Sequence, residues 1–219
     1  VCYVNGLPLV VIEAKRPESG KAEKATVDEG ISQNLRNQRH DEIPQLFAYA
    51  QLLLAVNHSE GRYGTTFTAA KFWARWREEE FTDGQLAAWK NRPLSAATHA
   101  ALFADKPAKL RDHFEQLWAQ PMLPTEQDRL LVALLTPARL LEFLRFFVLF
   151  DRKVGKVVAR YQQFFGIRAL LRRIQQRRPD GGREGGIVWH TTGSGKSFTM
   201  VFLTKALVVH DDLKACRVV

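Results

Sequence analysis

The first part of the chain alternates short apolar runs with turn residues, a pattern typical of β-strands. Residues 1–12 contain two such runs, and between them Asn5 and Gly6 form a dipeptide that favours a tight hairpin turn. A further apolar run at residues 52–57 predicts another strand, and residues 27–39 show the spacing of an amphipathic helix. The N-terminal part is therefore predicted to combine strands with a helix.

Helical spacing replaces strand spacing in the middle of the chain. Residues 86–150 carry apolar residues at helical intervals, and prolines mark the breaks between successive short helices: Pro93, Pro107, Pro121, Pro124 and Pro137. Thr136 is the expected N-cap of the last helix, whose apolar residues cover most of its circumference. We expect that helix to be buried between domains. Upstream of this region, Trp73 and Trp76 are spaced to share a helix face as packing residues.

A glycine-rich turn lies between two apolar segments near the C-terminal end. Residues 187–189 predict a short buried strand and residues 198–209 predict a helix, so residues 191–196 must turn between them. A phosphate-binding loop requires this order of strand, turn and helix. Residues 215–219 read as the beginning of another strand. We therefore expect the chain to be a piece of a longer protein, with further strands and motifs on either side.

The residue types in this turn suit a nucleoside triphosphate. Gly193 and Gly195 can adopt backbone angles closed to other residues, which lets successive N–H groups point at phosphate oxygens. Lys196 would bind the β- and γ-phosphates, and the Ser197 hydroxyl would ligate a bridging Mg²⁺. The candidate nucleotide-binding residues of the turn are Thr192, Gly193, Ser194, Gly195, Lys196 and Ser197. The full pattern GxxxxGK[ST] has a glycine where this chain has His190, so the alternative is a chance Gly-Ser turn before a helix.

A second candidate site follows the N-terminal hairpin. Glu13 and Lys15 are two positions apart at the end of the second strand, so their side chains project from the same face. In metal-assisted phosphodiester cleavage, a carboxylate ligates Mg²⁺ while a nearby lysine orients the attacking water and offsets charge in the transition state. Glu13 and Lys15 are therefore candidate catalytic residues, with Glu13 as the metal ligand. The alternative is an ordinary solvated pair at a strand end.

The overall charge favours a polyanionic partner. Lysine and arginine number 32 against 23 acidic residues, which gives a net charge of +9 and makes nucleic acid the natural partner, although a generic basic protein would share this balance. Cys2 and Cys216 stand at opposite ends of the chain, which fits neither a disulfide framework nor a zinc site. A reducing cytoplasm is the expected compartment. The sequence contains no apolar run long enough to predict a membrane span.

Several segments together resemble one protein family. The pair at Glu13 and Lys15 is similar to the metal-binding motif of the PD-(D/E)xK nucleases, whose further aspartate we expect upstream of Val1. The chain resembles the restriction (HsdR) subunit of type I restriction-modification enzymes in the segments VNGLPLVVIEAKRP, EIPQLFAYAQLLLAVN, YGTTFTAAKFWARW and GGIVWHTTGSGKSFTM. The resemblance implies a nuclease joined to a superfamily 2 helicase-like motor that pumps double-stranded DNA with ATP and Mg²⁺. It also implies methylation and specificity subunits as partners.

The resemblance implies two further site residues. Many PD-(D/E)xK members carry a Gln-x-x-x-Tyr element on the helix after the catalytic strand, and here Gln33 is followed four residues later by Asn37. Gln33 is the candidate, with an exposed glutamine on an amphipathic helix as the alternative. In the predicted helix at 156–165, Gln163 lies where such helicases place an adenine-reading glutamine. The aromatic residues beside it could stack on the base or belong to the core: Tyr161, Phe164 and Phe165.

The predicted fold class is α/β in three parts. Residues 1–80 would be the C-terminal part of a nuclease domain, residues 81–140 a helical connector, and residues 141–219 the start of a RecA-like P-loop motor domain. We expect the isolated chain neither to cleave DNA nor to hydrolyse ATP appreciably. Two other functions stay open at this point: a P-loop kinase or signalling ATPase in which the N-terminal pair is incidental, and a binding module that docks to DNA or a partner by charge.

Overall fold

The N-terminal hairpin opens a four-stranded sheet in the computed structural model, which describes residues 1–16 and 26–213. Strands β1 (Cys2–Val4) and β2 (Leu7–Ala14) are antiparallel, and Asn5 and Gly6 turn between them with φ of 48° and 79°. Both angles lie in the left-handed region that this dipeptide favours. The predicted hairpin is therefore confirmed, whereas the predicted strand at 215–219 and Cys216 lie outside the described residues.

A helix crosses over the sheet between two parallel strands. Helix α1 (Val27–Asn37) follows β2 and leads, through the short helix α2 (Pro44–Phe47), to β3 (Leu52–Val56), which pairs in parallel with β2. Strand β4 (Gly61–Gly64) adds to β3 in the antiparallel sense, and the order is β1-β2-β3-β4. The predicted helix and the predicted third strand are thus both confirmed.

Strand β3 is buried on both faces. Leu52, Leu54 and Val56 pack into one core, which continues into the helices that follow the sheet. Leu53 and Ala55 point the other way, into a smaller core beneath α1. Successive side chains of a strand alternate between faces, so a strand with apolar residues throughout must be covered on both sides. The α1 core and the larger core therefore lie on opposite faces of the sheet.

After a short 3₁₀ helix at Ala70–Phe72, the segment that carries Trp73 and Trp76 is extended rather than helical. The backbone of Ala74 exchanges two hydrogen bonds of 2.9 Å with Tyr63 of β4. On an extended segment, residues three apart point to opposite faces. Trp73 accordingly packs into the α1 core, and Trp76 packs among aromatic rings of the larger core. The shared helix face predicted for Trp73 and Trp76 is wrong, but their packing role is confirmed.

Short helices with prolines at the breaks between them follow this segment, as predicted. The helices are α3 (Asp83–Lys90), α4 (Ala96–Phe103), α5 (Ala108–Trp118), α6 (Glu126–Leu135) and α7 (Pro137–Phe146). Helix α7 ends four residues earlier than predicted because the chain turns into the antiparallel pair β5 (Val148–Asp151) and β6 (Gly155–Val158). Thr136 is the N-cap residue of α7, as predicted, but its hydroxyl donates to the Val132 carbonyl of α6 and makes no capping hydrogen bond to α7. Leu141 is 60% exposed, so α7 is buried on one side only.

The sheet is tied by a hydrogen bond to the residue before helix α8 (Tyr161–Gln175), and α8 packs against helix α9 (Lys196–Val209). The hydroxyl of Tyr63 on β4 donates to the Ala159 carbonyl at 2.8 Å, just before α8. Burial raises the pKa of the Tyr63 phenol far above its ordinary value, so it acts only as a neutral donor.

Among residues 1–16 and 26–213, no helix has both the length and the apolar composition that crossing a bilayer demands.

An ionic network joins the end of the N-terminal segment to helices α7 and α8. Arg139, only 5% exposed, donates to Glu80 at 2.7 Å and lies 3.4 Å from Glu78. Arg168 donates to the same Glu80 carboxylate and approaches Glu142 at 2.9 Å. The Arg139 guanidinium also lies over the rings of Phe81, Phe164 and Phe165. A paired guanidinium between aromatic faces is well placed to hold separate elements together.

This network predicts an acid-dependent loss of stability. Burial would raise the pKa of the Glu80 carboxyl, but the hydrogen bond and charge of Arg168, with Arg139 and Arg172, hold that pKa below its ordinary 4.5. A lowered folded-state pKa stabilises the protein above the unfolded value, and that contribution is lost as pH falls through the folded pKa. Glu80→Gln is therefore expected to lower the unfolding temperature at neutral pH by roughly 2–4 °C. Circular dichroism melts down to about pH 3 should show the difference vanishing.

The neighbouring Glu142 contributes to the pH dependence of stability with the opposite sign from Glu80. Burial raises the pKa of its carboxyl above the ordinary 4.5, so its stabilising effect is present at low pH and lost as pH rises through the folded pKa. Glu115→Gln on the exposed face of α5 is the matched control, since Glu115 is half exposed. A Glu80→Gln melting curve that parallels that of the Glu115 variant at every pH would contradict the role of the network.

Candidate functional site

Glu13 and Lys15 lie at the end of β2, on the side that faces α1. Glu13 is the last but one residue of the strand, and the Lys15 N–H extends the ladder by donating to the Val56 carbonyl at 2.8 Å. This ladder bond fixes the backbone beyond the strand, so both side chains emerge from one face. The Lys15 ammonium lies 3.2 Å from a Glu13 carboxylate oxygen. The structure therefore brings together the two residues that the sequence placed in one site.

Helix α1 supplies two more polar groups to this site. The Lys15 ammonium donates to the side-chain carbonyl of Gln33, and it lies 3.5 Å from a carboxylate oxygen of Glu29. The structure thus brings Gln33 beside the residues with which the family resemblance grouped it. Glu29 was missed by the sequence analysis, although it stands one helical turn before Gln33 and must share its face.

The four side chains form an open, partly solvated site. Lys15 is 12% exposed and Glu13 is 24% exposed, whereas Glu29 is 58% exposed. Carboxylate oxygens are the ligands that Mg²⁺ prefers, and Mg²⁺ is usually held by one or two carboxylates with several waters. Within the described ranges, no three His, Cys, Asp or Glu residues come close enough to form a metal cluster. The donor set suits Mg²⁺ held chiefly through Glu13, with Glu29 nearby.

The glycine-rich turn has the backbone that its sequence predicts. Gly193 and Gly195 have φ of 79° and 85°, and the N–H and hydroxyl of Ser194 both donate to the Thr191 carbonyl. Gly195 is the N-cap of α9, so Lys196 opens the helix. The free N–H groups of a helix N-terminus attract anions, and a glycine turn in front of them leaves room for phosphate. The predicted helix at 198–209 is confirmed and begins two residues earlier.

The side chains expected to contact phosphate and metal lie around this helix start. Thr192, Lys196 and Ser197 are all exposed to solvent. In contrast, the short buried strand predicted at 187–189 is wrong, since this segment pairs with no described strand and Ile187 and Trp189 are 95% and 91% exposed. A strand needs a neighbour for its backbone hydrogen bonds, and within residues 1–16 and 26–213 none lies beside this segment.

Gln163 contacts the turn directly. Its amide oxygen accepts from the Arg160 N–H at 2.8 Å, and its amide nitrogen donates to the Gly195 carbonyl at 3.1 Å. The side chain is 3% exposed, and a Cβ added at Gly195 would lie only 2.9 Å from the amide nitrogen. Gly195 is therefore required both for its backbone angle and for its close approach to Gln163. The amide oxygen and the amide nitrogen of Gln163 are therefore both hydrogen-bonded to the backbone of this chain.

The surroundings of Gln163 differ from the expectation in two ways. The helix predicted at 156–165 is a strand up to Val158, and α8 begins only at Tyr161, because Gly155 with φ of 80° allows a turn back into β6. Phe164 and Phe165 are buried in the larger core, so stacking on a base by these two rings is wrong. Tyr161 is partly buried against the same core.

A cleft of about 350 Å³ opens beside the glycine-rich turn. The turn, Arg160 and Gln163 line one part of it, and two aromatic residues from the segment after β4, Phe67 and Phe72, line another. Phe67 is 78% exposed with φ of 61°, and its N–H donates to the side-chain carbonyl of the buried Gln38 at 2.7 Å. The exposed rings were missed because the sequence shows an aromatic cluster without showing which rings stay outside the core.

Two family models match different parts of this chain. Residues 1–72 match the family described as Type I restriction enzyme R protein N terminus, and residues 162–219 match the SWI2/SNF2 ATPase family. The chain is 33% identical over 217 residues to the Type I restriction enzyme HindI endonuclease subunit of Haemophilus influenzae, with 97% of this chain and 17% of that protein covered.

More distant relatives carry similar names. A putative type I restriction enzyme MjaIXP endonuclease subunit of Methanocaldococcus jannaschii is 26% identical over 219 residues, covering 97% of this chain and 18% of the relative. The Type I restriction enzyme SauCOLORF180P endonuclease subunit of Staphylococcus aureus is 26% identical over 214 residues, with coverage of 96% and 18%. The chain thus spans 17–18% of the length of these relatives. It belongs to the family of type I restriction enzyme endonuclease (R) subunits.

Proposed function

We propose that this chain is part of an ATP-dependent, DNA-translocating endonuclease subunit of a type I restriction enzyme. The subunit would cleave double-stranded DNA with Mg²⁺ and ATP, in a complex with methylation and specificity subunits. The observation that carries the proposal is the placement of Lys15 between Glu13 and Gln33 at the end of β2. The endonuclease names of the relatives support the same activity.

In the proposed nuclease site, each side chain has a separate task. Glu13 would hold Mg²⁺ through its carboxylate, and the bound ion would supply Lewis-acid activation of the scissile phosphate. Lys15 would orient the attacking water and offset the negative charge that develops on the phosphate. Gln33, by accepting from the Lys15 ammonium, would fix the direction of that ammonium. Further metal ligands would come from the remainder of the subunit.

In the proposed nucleotide site, the turn before α9 would receive the phosphates of ATP. Backbone N–H groups of the turn and the Lys196 ammonium would bind the phosphate oxygens, and the Ser197 hydroxyl would help to hold the Mg²⁺ that offsets the phosphate charge. The cleft lined by Arg160, Phe67 and Phe72 would then lie beside the base. Gln163 would hold the turn through the Gly195 carbonyl.

The proposed division of the chain follows these two sites. Residues 1–80 would carry the C-terminal part of the nuclease domain, residues 81–140 the connector, and residues 141–219 the start of the RecA-like motor domain. The match of residues 162–219 to the SWI2/SNF2 ATPase family supports a motor rather than a small-molecule kinase. Because each site would be shared with other parts of the subunit, the isolated chain is expected to be inactive.

The proposal is tested by the cofactor requirements of the assembled enzyme. The full-length subunit, combined with its methylation and specificity subunits, is expected to linearise unmethylated plasmid DNA only when Mg²⁺ and ATP are both present. Chelation of Mg²⁺ should abolish cleavage, because neither the nuclease nor the ATPase site functions without it. Cleavage that persists at full rate with Mg²⁺ but without ATP would refute the motor assignment, and absence of cleavage under every condition would refute the nuclease assignment.

A further inference from the structure

A buried amide lies next to the candidate nuclease residues on α1. Asn34 is only 2% exposed, although its neighbours in the α1 core are apolar. Burying an amide is unfavourable unless its hydrogen bonds are satisfied, so an apolar residue of the same size would be the simpler choice for packing alone. The position of Asn34, directly after Gln33, suggests a role beyond filling space.

The amide of Asn34 ties α1 to the middle of the sheet. Its nitrogen donates to the Gly30 carbonyl at 3.2 Å, within the helix, and to the Leu54 carbonyl of β3 at 3.3 Å. A hydrogen bond depends on distance and direction, whereas apolar packing tolerates sliding. The bond to Leu54 therefore sets the height and rotation of α1 above the sheet.

Gly30 brings α1 close to the strands on the same face. A Cβ added at Gly30 would lie 3.3 Å from the Ala55 Cβ, 3.5 Å from the Glu13 Cγ and 3.6 Å from the Lys15 Cγ. The helix backbone thus rests against the stems of the two candidate catalytic side chains. Gln33 and Glu29 can reach the Lys15 ammonium only because this approach is so close.

We infer that Asn34, together with Gly30, is a positioning residue of the nuclease site. Asn34 fixes the register of α1 on β3 so that the Gln33 carbonyl meets the Lys15 ammonium. A shift by one residue along a helix rotates each side chain by about 100° and moves it by about 1.5 Å, which would remove Gln33 from Lys15. This inference rests on the proposed nuclease function.

The test uses the full-length subunit in the assembled enzyme. Asn34→Leu keeps the number and branching of the side-chain heavy atoms and removes both hydrogen bonds, and it is expected to lower the rate of DNA cleavage roughly tenfold, as for groups that orient a metal-site residue. ATP hydrolysis by the same preparation should stay within about twofold of wild type, which shows that the subunit is folded. Gln33→Ala is expected to lower cleavage by a similar factor.

A double variant separates positioning from general destabilisation. If Asn34 acts through Gln33, Asn34→Leu should have little further effect on cleavage in a Gln33→Ala background, because residues acting as one unit are not additive. Effects that multiply in the double variant would overturn the inference. Gly30→Ala provides a second variant in case Asn34→Leu fails to fold, and it is expected to give the same non-additive pattern with Gln33→Ala.

The connector offers a matched control. Asn91 makes the same pair of bonds as Asn34, since its amide nitrogen donates to the Ala87 carbonyl four residues before it and to the remote Met122 carbonyl, at 2.7 and 2.9 Å. Asn91→Leu should leave the cleavage rate unchanged. If Lys15→Ala retains full cleavage, the proposed nuclease function fails. If Lys15→Ala abolishes cleavage while Asn34→Leu and Gly30→Ala have no effect, only the positioning inference fails.

Discussion

Replacement of Lys196 by alanine is expected to abolish both ATP hydrolysis and DNA cleavage by the full-length subunit in its complex. Lys196 opens α9 directly after Gly195, whose backbone directs the chain into the helix, and its side chain is exposed where phosphate would bind. Removing a cation that stabilises charge in a transition state typically costs roughly a hundredfold or more in rate. Cleavage should fall with hydrolysis, because in the proposed enzyme DNA is cut only after it is translocated.

Steady-state ATP hydrolysis in the presence of DNA measures this effect, and plasmid linearisation measures its consequence. Lys109→Ala is the matched control, since Lys109 is an exposed lysine on α5 of the connector. An unchanged melting temperature of the Lys196 variant would show that ATP hydrolysis is lost because the ammonium is missing and not because the subunit is unfolded. A Lys196→Ala subunit that hydrolyses ATP at the wild-type rate would exclude the turn before α9 as the nucleotide site.

Replacement of Lys15 by alanine is expected to separate the two activities. Lys15 is held by Glu13 and Gln33, and removal of its ammonium would leave the attacking water unoriented and the phosphate charge uncompensated. DNA cleavage should fall by roughly a hundredfold or more. ATP hydrolysis should persist, because the turn at Gly193 and Gly195 is built by other residues.

Glu13→Gln provides an independent check of the same site. The substitution keeps the shape of the side chain but removes the charge that would hold Mg²⁺ in the proposed site, so cleavage should be lost and ATP hydrolysis retained. Both activities would be measured on one preparation of each variant. A parallel fall of hydrolysis and cleavage in the Lys15 variant would indicate unfolding rather than a missing catalytic group, and retained cleavage would remove Lys15 from the nuclease site.

Features set by neighbouring residues could be predicted from the sequence. The hairpin at Asn5 and Gly6 depends on the backbone angles of two residues, and the turn at Gly193 and Gly195 depends on the same property. Glu13 and Lys15 share a face because strand geometry places residues two apart on one side. The proximity of Gln33 was reached through resemblance, since no local rule brings α1 onto Lys15.

Features that depend on distant partners were the ones that failed or were missed. Residues 187–189 have strand composition, but a strand forms only where a second one accepts its hydrogen bonds. Trp73 and Trp76 were assigned to a helix because nothing in their spacing reveals the pairing of Ala74 with Tyr63. The contact between Asn34 and Leu54 likewise requires knowledge of how α1 crosses the sheet.

The double burial of β3 has a consequence for protein engineering. Its Leu52, Leu54 and Val56 pack into a core that continues through the aromatic rings beside Tyr63 to the helices of the glycine-rich turn. A chimaera joined at residue 80 would therefore combine two half-cores from different parents, and the Tyr63 hydroxyl would meet a foreign backbone at Ala159. Exchange of the first 80 residues between relatives therefore needs either a later junction or matched substitutions on both sides of the junction.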